Sequence, residues 1–585
     1  MIVNRISIQG KKISINIPWL YELYFLLLLF MHSSTYSQTG EYEKASTYLN
    51  TRGEVYFRFT TTKQNLNYLS DLISIDNIKS DTVFAYANRQ QFADFLKTRI
   101  PYTILTPPSL LLDKSELVTG VITKDWDVYP TYDAYVNMMN EFASNYPDLC
   151  KLYEIGTTVN GRKLLAVKIS DHVNSKEPEP EFFYTSTIHG DEVTGYILLL
   201  RLIDYLLSNY ETSPEVKQIV DSLEIWINPN ANPDGTYFSG NSTVSGAIRY
   251  NANFVDLNRN YPDPEDGQHP DFEDWQPETE AMMQFMTEHN FVFSANYHGG
   301  SEVMNYPWDT WSRSHPDEDW FEYVSYQYAD TVKKYGGSSY FSNVSPDGVT
   351  NGYDWYTISG GRQDYTTYFC NGREITIEVS MTKMPAAALL PTYWEYNHVA
   401  MINYIQQCLR GIHGIVTDSL TGEPLIAKIN IINHDSDSSH VYSDGINGDY
   451  HRLIAPGTYT ILCSVPGYIN KIAKGVTIEN WTSYVSMNFE LTPGSNPVNP
   501  IREIKNNTPE VWFGTNQQLY VVMQKPQKIQ LYLYSPQGVQ IMKKTLEVST
   551  GQNVIDFKNL SLTKGIYYCK ISFDKQVSML LPVLF

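Results

Sequence analysis

Between residues 125 and 410, short apolar runs of β-strand character alternate with longer segments whose apolar residues recur at helical spacing. This alternation predicts an α/β domain with a mixed, mainly parallel sheet, because each helix returns the chain for another parallel strand. The predicted strands are Leu164–Ile169, Glu181–Ser186, Leu223–Asn228, Val292–Tyr297 and Glu374–Val379. The predicted helices are Tyr132–Tyr146, Val193–Leu207, Glu278–His289, Trp320–Lys334 and Trp394–Cys408. In such sheets, ligands bind beyond the carboxyl ends of the strands.

The segment from Ser186 to Glu192 stands where a predicted strand passes into a predicted helix. His189 and Glu192 are three positions apart there, so both side chains can point at one metal ion. Imidazole nitrogen and carboxylate oxygen suit Zn2+, and a catalytic zinc site adds a third protein ligand and leaves one position for water. These residues alone also permit a surface turn capped by Asp191 and Glu192.

His298 is the candidate for the third ligand. It follows a predicted strand and precedes Gly299 and Gly300, which allow the backbone to approach a metal closely. A structural histidine is the alternative reading of this residue taken alone. His189, Glu192 and His298 are therefore candidate ligands of one metal ion.

Two further segments carry polar groups that suit the chemistry of such a site. Residues 249–262 contain two arginines and several amides, and residues 374–380 place the carboxylate of Glu378 near the end of a strand. A carboxylate in that position can act as a general base. A loop salt bridge and an exposed edge glutamate are the plainer alternatives.

Several motifs occur in a fixed order along this region. They are His189-Gly190-Asp191-Glu192, Asn232-Pro233-Asp234-Gly235, Asp256-Leu257-Asn258-Arg259-Asn260, His298-Gly299-Gly300, Asn305-Tyr306-Pro307-Trp308-Asp309, Trp355-Tyr356, residues 360–365 and Glu374-Ile375-Thr376-Ile377-Glu378. Together they resemble the zinc metallocarboxypeptidases of the carboxypeptidase A/B clan, most closely the regulatory branch of carboxypeptidases N, E, M and D. The sequence departs from that branch at Asp191, where asparagine is usual, and at Arg362, where methionine is common.

The resemblance implies a role for each matching residue. His189, Glu192 and His298 would hold Zn2+, Arg249 would stabilise the oxyanion and Glu378 would be the general base. The free carboxylate of the substrate would be bound by Asn258, Arg259 and Tyr356. A guanidinium with an amide matches the fork of a carboxylate, which implies an exopeptidase.

The resemblance also implies a pocket for the side chain of the last residue of the substrate. Asp309 and Gln363 fall at positions of that pocket, and a buried aspartate there favours a C-terminal Lys or Arg. The alternative is that Asp309 turns away and caps a loop. Two further functions stay open: a peptidoglycan stem-peptide or related amide hydrolase on the same scaffold, and a catalytically inactive binding protein.

Residues 38–124 precede this domain as a predicted small α+β domain and linker. Glu54–Thr60, Thr82–Ala87 and Tyr102–Thr106 are predicted strands, and Lys63–Leu72 and Arg89–Thr98 are predicted helices. The unit stands where a folding helper or an inhibitory pro-segment would precede an enzyme. An ordinary accessory domain fits the same pattern.

The chain after residue 410 is β-rich. Residues 411–493 resemble the transthyretin-like β-sandwich that follows the catalytic domain in the regulatory branch, and residues 494–504 read as a linker. Residues 505–585 are similar to the C-terminal sorting domain of the type IX secretion system, through the turn at Gly538 and the Gly565-Ile566-Tyr567 strand. That similarity implies outer-membrane translocation in a Bacteroidetes-type bacterium. A generic adhesion sandwich is the alternative.

Residues 1–37 have the order of a secretory signal. Basic residues Arg5, Lys11 and Lys12 precede the apolar run Leu23–Met31, and small residues follow at Thr35 and Ser37. The apolar run is shorter than the ~20 residues that a spanning helix needs. We therefore predict a secreted or cell-surface protein without a stable transmembrane segment, and a signal-anchor is the alternative.

Charge and cysteine content exclude other classes. The formal net charge of -21 disfavours a nucleic-acid partner, since such proteins carry basic surfaces, and it suits steering of cationic substrates. The five cysteines have no Cys-x-x-Cys spacing, which predicts buried thiols or one or two bridges rather than a disulfide framework. The predicted partners are peptide or protein C-termini, with the secretion machinery contacting the C-terminal domain.

Overall fold

The computed structural model describes residues 7–8, 11–12, 39–494, 510–514, 518–523, 525–535, 540–557, 560, 566–573 and 577–584. The predicted signal segment and the predicted linker at 494–504 therefore lie almost wholly outside the described residues. Two short strands near the start, β1 (Ser7–Ile8) and β2 (Lys11–Lys12), pair in antiparallel fashion. Among the described residues, no helix combines the length and apolar character needed to cross a bilayer.

Residues 39–105 form a four-stranded antiparallel sheet with three helices, which we call the N-terminal unit. Its helices are α1 (39–51), α2 (Lys63–Ser70) and α3 (Arg89–Lys97). Its strands are β3 (Glu54–Thr60), β4 (Ser74–Lys79), β5 (Thr82–Asn88) and β6 (Tyr102–Leu105), in the order β4-β5-β3-β6. Asn88 caps α3 through a reciprocal capping box with Gln91. Phe92 and Phe95 of α3 pack on Phe57 of β3.

A parallel pair, β7 (Thr119–Gly120) and β8 (Tyr129–Pro130), leads into the central domain. The central strands are β9 (Cys150–Thr157), β10 (Lys163–Ile169), β11 (Glu181–Ser186), β12 (Glu224–Asn228), β13 (Phe291–His298), β14 (Glu302–Tyr306), β15 (Val349–Asn351) and β16 (Glu374–Val379). The helices are α4 (Tyr132–Asn145), α5 (Thr194–Asn209), α6 (Pro214–Val220), α7 (Pro233–Thr236), α8 (Pro277–Glu288), α9 (Glu318–Gly336), α10 (Gly352–Trp355), α11 (Arg362–Phe369) and α12 (Leu390–Ile405).

The eight central strands form one mixed sheet in the order β15-β14-β16-β13-β11-β12-β10-β9. Strands β12, β11, β13 and β16 are parallel neighbours at the centre. On one flank β10 pairs antiparallel with both β12 and β9, and on the other β14 pairs antiparallel with β16 and parallel with β15. Every residue of β11, β12, β13 and β16 is buried, as expected for strands covered on both faces. The five predicted strands are all present, with ends shifted by one residue at most.

The sheet register positions the candidate site. In the parallel ladder, Ser186 of β11 lies opposite Tyr297 of β13, and His298 lies opposite Glu378 of β16. The carboxyl ends of three adjacent strands therefore deliver the segments that carry His189, His298 and Glu378 to one edge of the sheet.

The region after the central domain is β-rich. Residues 411–491 contain β17 (Gly411–Asp418), β18 (Lys428–Ile431), β19 (Val441–Tyr442), β20 (Asp449–Arg452), β21 (Gly457–Ser464), β22 (Lys471–Ile478), β23 (Tyr484–Ser486) and β24 (Phe489–Leu491) in two four-stranded sheets. The last part contains β25 (Glu510–Gly514), β26 (Gln518–Met523), β27 (Gln527–Tyr534), β28 (Gln540–Val548), β29 (Gly551–Asp556), β30 (Ile566–Phe573) and β31 (Val577–Leu584). The predicted turn at Gly538 lies outside the described residues.

All five cysteines lie within the described ranges and are free thiols.

Candidate metal centre and active site

The loop between β11 and α5 carries two of the three predicted metal ligands. It turns sharply: Thr187 has a φ of 61°, and a Cβ on Gly190 would lie 2.3 Å from the backbone of Gly235. A side chain at position 190 would therefore displace the loop. The turn brings Nδ1 of His189 to 3.0 Å from Oε1 of Glu192.

His298 at the end of β13 completes the group. Its Nδ1 lies 2.9 Å from Oε2 of Glu192 and 3.2 Å from Nδ1 of His189. One ligand atom from each of the three residues lies within 4.8 Å of the others, and each residue is 3% exposed. The structure therefore brings the three predicted ligands together.

The second ring nitrogen of each imidazole, Nε2, also has a polar partner. Nε2 of His189 lies 3.1 Å from Oδ1 of Asp256, and Nε2 of His298 lies 2.9 Å from the side-chain amide of Asn296. Such contacts on the second ring nitrogen fix the ring and leave Nδ1 to the metal. Two imidazoles and one carboxylate, buried and oriented in this way, fit the donor set of a catalytic zinc ion, which keeps a position for water.

Arg249 lies beside the carboxylate ligand. Its Nε donates a 3.0 Å hydrogen bond to Asp256, and its Nη1 lies 3.6 Å from Oε1 of Glu192. Asp256 thus contacts both His189 and Arg249, and it fixes the distance between a metal ligand and a cation. Asp256 belongs to one of the sequence motifs, but the sequence alone predicted no role for it.

Glu378 occupies the end of β16, next to His298 in the sheet. Its Oε2 has no hydrogen-bond partner among the described residues, although the carboxylate is buried. Burial raises the pKa of the Glu378 carboxyl well above its ordinary value, and the charge of Glu192 raises it further. A buried oxygen without a partner beside a metal-binding group is the arrangement that proton transfer needs.

The residues predicted to bind a terminal carboxylate line the same cavity. Asn258 and Arg259 belong to a 3-10 helix over Leu257–Arg259, and Tyr356 follows α10. Nη1 of Arg259 donates to the carbonyl of Asn258 at 2.8 Å, whereas its Nε and Nη2 find no partner among the described residues. The structure therefore holds two buried guanidinium N–H groups ready for an anion.

Asp309 and Gln363 lie behind Asn305 and do not line the cavity themselves. Oδ1 of Asp309 accepts hydrogen bonds from Asn305 at 3.0 Å and from Gln363 at 3.2 Å. Of these three residues, only Asn305 lines the cavity itself. Burial raises the pKa of the Asp309 carboxyl to about 7. The side chain of Asp309 faces inward rather than capping an exposed loop.

Two further charged residues, Lys383 and Asp76, were missed by the sequence analysis. Nζ of Lys383 lies 2.5 Å from Oε1 of Glu192 and 2.6 Å from Oδ1 of Asp76. Lys383 follows Glu378 by five residues, so its place after the same strand was a usable signal. Asp76 gave no signal, because it belongs to the N-terminal unit and lies on a strand that the pattern did not predict.

The N-terminal unit closes the cavity. Ile75 and Asp76 line it together with the metal-binding group, and its volume is about 20 Å³, enough for one water molecule. Ser74 donates to Asp256 at 2.6 Å, and Asn77 donates to the carbonyl of Gly300 at 2.9 Å. Strand β4 therefore forms part of the wall of this cavity.

The fold and the site together define a class: an α/β protein with a buried His-Glu-His group that could hold a metal ion at the carboxyl ends of parallel strands, next to a carboxylate with one oxygen unpartnered within the described part of the chain. The sequence model described as "Zinc carboxypeptidase" matches residues 135–400, and the one described as "Secretion system C-terminal sorting domain" matches residues 515–580. The chain belongs to the zinc carboxypeptidase family and carries a C-terminal sorting domain. The family implies a Zn2+ cofactor, which the donor set fits.

Curated relatives and solved structures give the extent of the similarity. The chain is 36% identical to human carboxypeptidase D over 408 residues, 67% of this chain and 29% of that protein. It is 37% identical to mouse carboxypeptidase M, covering 57% of this chain and 78% of that protein. It is 35% identical to the mouse carboxypeptidase N catalytic chain, covering 68% of this chain and 91% of that protein.

The chain spans 35% or less of the length of the carboxypeptidase D sequences that it matches. Among solved structures, carboxypeptidase A from Helicoverpa armigera aligns with a TM-score of 0.47 and 18% identity, covering 60% of this chain and 98% of that one.

Proposed function

We propose that this protein is an exported zinc metallocarboxypeptidase that removes the C-terminal residue of peptides and prefers Lys or Arg at that position. The observation that carries the proposal is the juxtaposition, in one cavity, of the three candidate metal ligands, the carboxylate of Glu378 and the guanidinium of Arg259. One oxygen of Glu378 and two nitrogens of Arg259 have no partner among the residues that the structure describes. Each group answers one requirement of C-terminal peptide hydrolysis.

His189, Glu192 and His298 would hold the zinc ion. When bound, Zn2+ polarises a carbonyl and lowers the pKa of water. Glu378 would take the proton of the attacking water and pass it to the leaving amine, because its carboxylate lies beside the metal-binding group with one oxygen that has no partner among the described residues. Arg249 stabilises the carbonyl oxygen as it gains negative charge.

Arg259 confines the reaction to chain ends. Its two unpartnered N–H groups match the fork of a terminal carboxylate, and Asn258 and Tyr356 line the same wall of the cavity. An internal peptide residue offers no carboxylate, so it leaves this guanidinium buried and unpaired. The same reasoning disfavours an amide hydrolase whose substrates lack a free C-terminal carboxylate.

The preference for a basic terminal residue rests on Asp309. Its buried carboxylate lies behind Asn305, in reach of a long cationic side chain that enters past Arg259. Such a side chain would pair with the carboxylate, whereas an apolar one would leave the charge without a partner. Gln363 holds the carboxylate in place through its amide.

The test compares release of the last residue from matched peptides ending in Arg, Lys or Phe, with zinc and with a chelator. We expect chelator-sensitive release, faster for Arg and Lys than for Phe. Faster release of Phe would contradict the preference for a basic residue. If no residue is released even after the N-terminal unit has been cut away, the carboxypeptidase activity itself is rejected.

Residues 38–124 act, in this proposal, as an inhibitory pro-segment with its linker. The support is the closed cavity, whose 20 Å³ excludes any amino-acid side chain. Lys114 and Lys124 are exposed within the segment that joins the unit to the central domain, so a protease can reach it. Peptide hydrolysis should rise after cleavage there, and equal rates before and after would show an accessory domain instead.

The remaining domains complete the proposal. Residues 125–410 form the catalytic domain and residues 411–493 a transthyretin-like β-sandwich with a packing role, supported by the buried ion pair of Arg452 with Asp317 at 2.8 Å. Residues 1–37 direct export, and residues 505–585 form a sandwich that engages a type IX secretion machinery. Removal of residues 505–585 should leave the protein in the periplasm, and undiminished secretion would contradict this assignment.

A further inference from the structure

Lys383 is a buried cation with no role in the chemistry described so far. It lies five residues beyond Glu378, and its side chain is 2% exposed. Its Nζ contacts Glu192 at 2.5 Å and Asp76 at 2.6 Å, and lies 3.8 Å from Asp191. A lysine this deeply buried needs anionic partners, because an unpaired ammonium is costly to remove from water.

One of these partners is not part of the catalytic domain. Asp76 belongs to β4, and a β-bulge in the pairing of β4 with β5 leaves it out of register between Ile75 and Asn77. Bulges next to active sites redirect a side chain. Here the carboxylate enters the cavity, 5% exposed, with Oδ1 3.7 Å from Nη1 of Arg249 as well as 2.6 Å from Lys383.

The carboxylate of Asp76 therefore occupies an anion position shared by two cations. Oε1 of Glu192 contacts the same two cations, at 2.5 Å from Nζ of Lys383 and 3.6 Å from Nη1 of Arg249, but both oxygens of Glu192 also contact the histidines of the metal-binding group. Asp191 lies farther away, with Oδ1 3.8 Å from Nζ of Lys383, and its Oδ2 accepts a 2.7 Å hydrogen bond from Tyr86 of the N-terminal unit. When the N-terminal unit leaves, Lys383 and Arg249 lose the carboxylate of Asp76 and keep their contacts with Glu192 of the metal-binding group.

The geometry points to Lys383 as a second substrate-binding cation, which binds the carbonyl oxygen of the scissile bond together with Arg249 and is masked by Asp76 in the full-length chain. This inference rests on the proposed carboxypeptidase function. Lys383 stays protonated throughout, so it forms and releases hydrogen bonds and no covalent bond changes at it. An ammonium has three donors, and the loss of Asp76 frees one of them.

A second cation is consistent with how Arg249 is held. Its Nε is engaged by Asp256, and its guanidinium lies over the ring of Tyr86 at 5.7 Å. Lys383 also lies over this ring, at 5.3 Å. Arg249 alone therefore offers part of its donors to an oxygen in the cavity, and Lys383 contacts the same carboxylate oxygen of Asp76 that Arg249 approaches. In a site that excludes water, such a donor acts strongly on developing charge.

A purely structural role is the competing explanation. Lys383 would then only neutralise Glu192 and anchor the N-terminal unit. The two roles differ in kcat: anchoring affects how tightly the unit binds, whereas binding of the scissile oxygen affects turnover after the unit has left. Measurement of the zinc content distinguishes these two roles from an indirect effect through Glu192, because a disturbed metal ligand would lower the zinc content.

The experiment uses the full chain with a specific protease site placed within residues 112–116. After the cut, peptide hydrolysis is followed over a dilution series without separating the two pieces. The concentration dependence gives the Kd of the N-terminal fragment, and the limit at high dilution gives kcat and KM. Zinc per chain is measured by elemental analysis for every variant. Lys334→Met, on an exposed lysine of α9, is the matched control.

Asp76→Asn should raise the fragment Kd about tenfold or more and leave the limiting kcat unchanged. Lys383→Met should raise this Kd too and lower the limiting kcat about 100-fold, as for loss of one donor to a developing oxyanion, with KM and zinc content near wild type. Lys383→Arg, which keeps the charge, should recover most of kcat. Lys383→Gln provides the same comparison if the methionine variant does not fold.

Three results would overturn the inference. A wild-type limiting kcat in Lys383→Met or Lys383→Gln would leave Lys383 an anchor only. A loss of zinc in step with kcat would show that it acts through Glu192. An unchanged fragment Kd in Asp76→Asn would show that Asp76 does not mask the cations. If the cut wild-type chain hydrolyses no peptide at any dilution, the proposed function itself fails, and the inference with it.

Discussion

The phenolic hydroxyl of Tyr86 donates a 2.7 Å hydrogen bond to the carboxylate of Asp191. Tyr86 lies on β5 of the N-terminal unit, whereas Asp191 lies between the metal-binding residues His189 and Glu192 in the catalytic domain. The loop that carries two ligands is therefore held from outside its own domain. This contact, together with Lys383 at 3.8 Å, gives a physical use to aspartate at a position where the regulatory branch usually has asparagine.

Replacement of Tyr86 by phenylalanine should loosen the N-terminal unit. The change removes one hydrogen bond and leaves a buried oxygen of Asp191 without a donor, which costs about 1–3 kcal/mol of the free energy of unfolding. Denaturant unfolding of the full chain measures this loss. Tyr68→Phe is the control, because Tyr68 is 61% exposed. Equal stability of Tyr86→Phe and Tyr68→Phe would show that the bond contributes nothing to closure.

Replacement of Glu378 by glutamine should abolish turnover and spare the metal. The amide cannot accept the proton of water, and general-base catalysis contributes about 10²–10⁴ in rate. We expect a kcat loss in this range in the cut enzyme, with one zinc per chain by elemental analysis. Glu479→Gln, on an exposed strand end, should behave as wild type. Near-normal kcat in Glu378→Gln would reject the general-base role.

Removal of zinc should abolish hydrolysis and lower stability. Binding of a ligand to the folded state alone stabilises that state by about 2.7 kcal/mol at a ligand concentration of 100 Kd. Without the metal, the buried carboxylates of Glu192 and Asp256 lose the positive charge of the zinc ion. A chelator should therefore lower Tm as well as kcat, and added zinc should restore both. His298→Ala should show the same low Tm whether or not zinc is present. A Tm that is indifferent to chelator in the wild type would contradict the site.

The preference for C-terminal Arg should weaken at acidic pH. Burial raises the pKa of Asp309 to about 7, so the carboxyl is protonated and neutral below this pH and ionised above it. Since pairing with a guanidinium needs the ionised form, the ratio of kcat/KM for Arg to kcat/KM for Phe should fall as pH drops through about 7. Use of a ratio cancels the titration of groups that act on both substrates.

Asp309→Asn is the variant that tests this assignment. It keeps the shape and the hydrogen-bonding capacity of the side chain but removes the charge, so the ratio should become low and independent of pH. A wild-type ratio and pH dependence in Asp309→Asn would move the specificity to another group.

The strands of the central sheet were predictable because their burial on both faces leaves unbroken apolar runs. Flanking strands were not: β9 alternates buried, intermediate and exposed residues, and β15 has only three. Strand β4 was missed for a different reason. Its sequence, Ser-Ile-Asp-Asn-Ile-Lys, is too polar to resemble a strand, and its Ser74, Asp76 and Asn77 are polar because they contact the catalytic domain.

The sequence by itself predicted the candidate ligands and their chemistry. His189, Glu192, His298 and Glu378 follow directly from strand ends, and a parallel sheet places its strand ends at one edge whatever else the chain does. Only the tertiary structure decided what covers that edge. Asp76 and Lys383 are separated by 307 positions and by a domain boundary, and pairing over such a distance depends on how two folded surfaces fit. Local pattern carries no information on that fit, so the closed cavity could be seen only in three dimensions.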